Sequence, residues 1–67
     1  MKNLKLKAAR AARDWSQQQL AEAVGVSRQT INAIESGKFI PSTVLALKIA
    51  HIFGKQVEEI FQLEEGD

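Results

Sequence analysis

The sequence has no cysteine and a single histidine, His51. The first absence excludes disulfides, and the two together leave no ligand set for a Cys/His zinc site. No apolar run approaches ~18 residues, so no membrane-spanning helix is expected. No apolar stretch of roughly 7–15 residues follows Met1-Lys2-Asn3, so no secretory signal peptide is expected either. With one proline, four glycines and 45% apolar residues, the chain does not have the composition of a disordered segment. A soluble, cytoplasmic protein is the expectation. Its 67 residues form one domain, spanning 1–67. A chain this short buries only about 60% of its unfolded surface, so close helix packing, self-association or both must stabilise it. An enzyme carrying its own pocket is not expected at this size, and neither is a cofactor or metal.

The near-neutral total of +1 hides an uneven distribution. Residues 1–38 carry seven basic and three acidic side chains, whereas residues 39–67 carry two basic and five acidic ones. A basic half suits a polyanion and leaves the other half for a different task.

Four helices and a short fifth can be read from period and punctuation. Residues 4–13 are rich in Ala, Leu, Lys and Arg, which favours helix. Leu6, Ala9, Arg10 and Arg13 share one stripe, which places Arg10 on the inward side. Met1 to Leu4 reads as either a short strand or a frayed end. Asp14 tolerates the left-handed conformation and ends the first helix. Ser16 is an N-cap, Gln19 completes a capping box, and Trp15 is placed to staple to Leu20. The second helix runs from Gln17 to Val24, with Leu20, Ala21 and Val24 inward. Gly25 supplies the positive φ that a helix C-cap requires. Ser27 caps a third helix, Arg28 to Glu35, with Ile31 and Ile34 inward. Pro41 and Ser42 start a fourth, Thr43 to Phe53, closed by Gly54. Val57 to about Phe61 forms the last, with Glu58 and Glu59 favoured in its first turn by the helix dipole. Ser16, Ser27, Ser36 and Ser42 fit caps and turns rather than nucleophiles.

Helix, glycine turn and capped helix over residues 17–35 make a helix-turn-helix. Arg28, Gln29, Asn32 and Ala33 remain outward on its second helix. These residue types read base edges: Arg pairs with guanine, Gln and Asn pair with adenine, and Ala touches the thymine methyl. A helix N-terminus capped by Ser27 also suits a phosphate.

The residues Ser16-Gln17, Leu20-Ala21, Gly25-Val26-Ser27, Ile31, Ile34-Glu35, Gly37-Lys38, Pro41-Ser42, Ala46, Ile49-Ala50 and Phe53-Gly54 together carry a resemblance. The chain resembles the phage-repressor-like, or XRE, family of helix-turn-helix transcriptional regulators, from about Leu6 to Phe61. The resemblance implies an all-α, five-helix, lambda-repressor-like bundle whose third helix enters the major groove. It implies base contacts by Arg28, Gln29, Asn32 and Ala33, with Thr30 near the strand. It implies a phosphate contact by Gln17 and backbone anchors at Ser16, Ser27, Lys38 and Ser42. Arg10 and Glu35 match positions that form a partly buried ion pair, which gives an Arg on an apolar stripe the partner it needs. Glu59 to Leu63 resembles a subgroup of very short dimeric repressors typified by the cytolysin repressor. In that subgroup the two chain ends form a small antiparallel sheet.

The fourth helix carries two apolar stripes: Ala46, Ile49, Ala50 and Phe53 on one side, Val44, Leu47 and His51 on the other. A small bundle has no evident means of burying both. Ile60, Phe61 and Leu63 add to the second surface, so a homodimer interface is expected there, away from the basic face. The expected function is a sequence-specific regulator of double-stranded DNA. It would act as a repressor on a pseudo-palindromic operator, with no separate effector domain in 67 residues. The alternative is an antitoxin-type interaction module that binds a partner protein through its C-terminal face.

Overall fold

The computed structural model describes residues 4–61. Five helices follow in order: α1 (Leu4–Ala12), α2 (Gln17–Val24), α3 (Arg28–Glu35), α4 (Thr43–Ile52) and α5 (Val57–Ile60). The described residues contain no strand. Of the sheet expected from the two chain ends, Leu4, Glu59 and Ile60 are helical and Phe61 lies in no strand, while residues 1–3 and 62–63 lie outside the described residues.

Local chemistry sets most boundaries. Asp14 has φ 55°, and the Trp15 amide turns back to the Arg10 carbonyl at 3.1 Å, which ends α1 at Ala12. At Ser16 the capping box is reciprocal. The Gln19 amide donates to Ser16 Oγ at 3.1 Å, and the Ser16 amide donates to Gln19 Oε1 at 2.7 Å. Ser27 and Ser42 accept from the amides of Thr30 and Leu45, each at 3.2 Å. The second half of such a box recurs at the start of α5, where the Gln56 amide donates to the Glu59 carboxylate at 2.8 Å. Glu59 thus satisfies an orphan amide as well as favouring the helix dipole.

Gly25 ends α2 at φ 78°. A Cβ built there meets nothing within 4 Å, so the requirement is conformational and not steric. Gly25→Ala is therefore expected to cost about 1–2 kcal/mol, the penalty of the left-handed region for a residue with a Cβ. Thermal melting checks this. An unchanged midpoint would show that the turn relaxes to a different geometry.

The core draws on every helix: Leu6 from α1; Leu20, Ala21 and Val24 from α2; Ile31 and Ile34 from α3; Ile49 and Ala50 from α4; Ile60 from α5. Phe53 and Phe61 close it. α2 and α3 pack on each other at the turn, and α5 fills the angle between α1 and α4. Trp15 is half-buried, and its ring meets Phe53 at a centroid distance of 5.9 Å. The Arg13 guanidinium caps both rings, at 5.4 Å from Trp15 and 5.0 Å from Phe53. An arginine counted with the inward stripe thus stays exposed and uses its charge on aromatic faces.

Val26, just after the turn, is half-buried and rests against the core. A correction concerns Ile60 and Phe61, expected at a dimer interface. They are 1% and 8% exposed inside the protomer's own core. The bundle is small enough that α5 must turn its apolar side inward to cover α1 and α4, so these two side chains are not available to a partner. Leu63, assigned to the same interface, lies outside the described residues.

Candidate nucleic-acid interface

α3 is held from beneath by two fully buried isoleucines and by one carboxylate. Ile31 and Ile34 are both 0% exposed. Glu35, at the helix end, turns inward to Arg10 of α1. Arg10 Nε donates to Glu35 Oε2 at 2.8 Å and Nη2 donates to Oε1 at 3.1 Å. The side chains are only 14% and 6% exposed. The remaining guanidinium nitrogen, Nη1, donates to the Trp15 carbonyl at 2.7 Å. One side chain therefore ties α1, the α1–α2 turn and α3 together, in the forked geometry that makes Arg–carboxylate pairs strong.

With Glu35 withdrawn, the outer side of α3 carries no exposed carboxylate. Arg28, Gln29 and Asn32 are exposed, and Ala33 is half-buried between them and the core. Ala33 has a second task. Its carbonyl accepts from the Lys38 amide at 2.9 Å and the Phe39 amide at 3.2 Å, and from Ser36 Oγ at 3.2 Å. This anchors the loop that carries Lys38, which is exposed. Thr30 is half-buried, and its hydroxyl meets Ser27 Oγ at 3.0 Å. Ser16, Ser27 and Ser42 are exposed N-caps, each accepting from its helix's backbone.

Gln17, the first residue of α2, is engaged at both ends of its side-chain amide. Its Nε2 donates to Glu35 Oε1 at 3.2 Å, and its Oε1 accepts from Asn32 Nδ2 at 3.4 Å. Arg10, Glu35, Gln17 and Asn32 thus form one chain of hydrogen bonds from the interior to the outer face of α3. Lys7 lines the same shallow cleft with Gln17, Asn32, Glu35 and Ser36. Sequence reasoning missed Lys7 there, because the cleft forms only when α1 and α3 are brought together.

Val44, Leu47 and His51 are exposed along α4. Val44 is 62% and Leu47 55% exposed, and Ile40, in the loop before α4, is 65% exposed. Among the described residues no cluster of His, Cys, Asp or Glu is arranged to hold a metal, and no helix is long and apolar enough to cross a membrane.

A packed helix pair joined through Gly25, with a polar and carboxylate-free face on the second member, defines a helix-turn-helix domain. A family model described as Helix-turn-helix matches residues 6–60. An uncharacterized HTH-type transcriptional regulator of Methanocaldococcus jannaschii is 54% identical over 67 residues, covering 100% of both chains. YgzD of Bacillus subtilis, described in the same words, is 52% identical over 65 residues, 97% of each chain. Among solved structures, the restriction-modification controller protein C.AhdI from Aeromonas hydrophila superposes with a TM-score of 0.79 at 31% identity. The match covers 87% of this chain and 88% of that one. The chain belongs to the XRE-like helix-turn-helix family of transcriptional regulators.

Proposed function

We propose that the protein is a sequence-specific DNA-binding repressor that occupies a pseudo-palindromic operator as a homodimer. The observation that carries this reading is the outer face of α3, where Arg28, Gln29 and Asn32 are exposed while Glu35 is turned away to Arg10. Laid in the major groove, these side chains and the Ala33 methyl meet base edges. Ser16, Gln17, Ser27, Thr30, Lys38 and Ser42 surround them and face the phosphates, which position the domain without reading sequence. The exposed stripe of Val44, Leu47 and His51, extended by Ile40, joins two protomers. Two recognition helices then lie one helical turn of DNA apart, about 34–36 Å. Repression is steric: the dimer covers an operator that overlaps a promoter. The family membership and the likeness to a controller protein support this reading.

Selection of bound duplexes from random DNA, followed by a salt series on the winner, tests the proposal. The expected product is a palindromic consensus with half-sites one turn apart. Gln29→Ala should then lose about 5- to 100-fold on that operator and little on random DNA. No enriched sequence, with only weak and salt-sensitive binding, would leave charge attraction alone.

A further inference from the structure

We propose that Gln17 is a positioning residue for base recognition, transmitting a fixed amide polarity from the buried Glu35 to Asn32. The proposal rests on reading Asn32 as a base contact, and it adds the element that sets which way Asn32 faces.

The reasoning starts from what a carboxylate can do. Glu35 only accepts hydrogen bonds. Its Oε1 takes one from Arg10 Nη2 at 3.1 Å and another from Gln17 Nε2 at 3.2 Å. The Gln17 amide is therefore held with nitrogen toward Glu35. Turning it over would set its oxygen against the carboxylate, acceptor against acceptor. With nitrogen on that side, Gln17 Oε1 faces Asn32 and accepts from Nδ2 at 3.4 Å. The same exclusion then acts on Asn32, because a flipped Asn32 would oppose two carbonyl oxygens. Asn32 and Glu35 lie three residues apart on one side of α3, so a single Gln17 side chain reaches both.

Donor arithmetic makes this compatible with DNA contact. Each carboxamide nitrogen has two hydrogens. Gln17 spends one on Glu35 and keeps one for a phosphate. Asn32 spends one on Gln17 and keeps one, together with Oδ1. A donor beside an acceptor is the pair that matches an adenine edge in the major groove, and it discriminates only if the order of the two is set. An unrestrained Asn32 would present both orders. The chain of bonds from Arg10 removes one of them before DNA is met, so the cost of ordering is not charged to binding.

The test compares the selected operator with single-base-pair variants, using the full chain and its Asn32→Ala, Gln17→Met and doubly substituted forms. Methionine keeps the length of Gln17 and removes both hydrogen bonds. Asn32→Ala is expected to abolish the preference at one base pair. Gln17→Met is expected to relax preference at that same pair by about 3- to 10-fold, the worth of one such bond. The double substitution should relax it no further than Asn32→Ala alone. Without DNA, the Asn32 side-chain amide resonances should shift in Gln17→Met. If Gln17→Met weakens all duplexes equally and leaves the Asn32 preference intact, Gln17 is a phosphate contact only and the proposal is overturned. Unmoved Asn32 amide resonances would overturn it too. If Asn32→Ala alters no base-pair preference, the base-reading role itself fails, and that result is seen before Gln17 is changed.

Discussion

Glu35→Ala is expected to lower the melting midpoint by roughly 10–20 °C, most of what a domain this small can lose. The physical reason is asymmetric. The Arg10 and Glu35 side chains are 14% and 6% exposed, so removing the carboxylate leaves a guanidinium with nothing but the Trp15 carbonyl. Breaking such a pair from one side costs about 3–5 kcal/mol in buried sites, and the low end suits a pair that water still reaches. For a domain near this length each kcal/mol moves the midpoint by about 4–8 °C. Replacing both partners with apolar residues, Arg10→Met with Glu35→Leu, should restore much of the loss, because no stranded charge remains. The restored protein should still read its operator less selectively, since Gln17 would lack the acceptor that orients it. Thermal melting of the three variants decides the matter. An unmoved midpoint in Glu35→Ala would show that the pair contributes nothing net.

Leu47→Glu is expected to act in the opposite way, sparing the fold and abolishing operator binding. Leu47 is 55% exposed, so the folded protomer loses little when it is changed. In the proposed dimer it sits at the centre of the α4 stripe, where two glutamates would face each other across the twofold axis. Losing the second half-site removes the gain from linked binding, about 100- to 10,000-fold in affinity. Light scattering should then report a mass near the 7.4 kDa of one chain. A variant that keeps both a dimeric mass and full operator affinity would place the interface elsewhere on the bundle.

The two substitutions separate what the sequence determined by itself from what needed the folded chain. Helix ends were legible because their chemistry is local. Ser16 with Gln19, Ser27 with Thr30, and Ser42 with Leu45 are each three residues apart, and Asp14 and Gly25 need only their own φ of 55° and 78°. The outward face of α3 was legible for a similar reason, since a period of 3.6 separates Ile31 and Ile34 from Arg28, Gln29 and Asn32. Contacts between distant positions were not. Arg10 meets Glu35 across 25 positions and Gln17 meets it across 18, and no periodicity encodes either meeting. The first was anticipated through family resemblance, and the second was not anticipated at all. Burial failed the same way at α5. Ile60 and Phe61 were legible as apolar, but whether an apolar residue faces its own core or a partner depends on which surfaces the other helices leave open. Among the described residues α5 packs against both α1 and α4, so tertiary packing turned those side chains inward and left Ile40, Val44 and Leu47 in solvent.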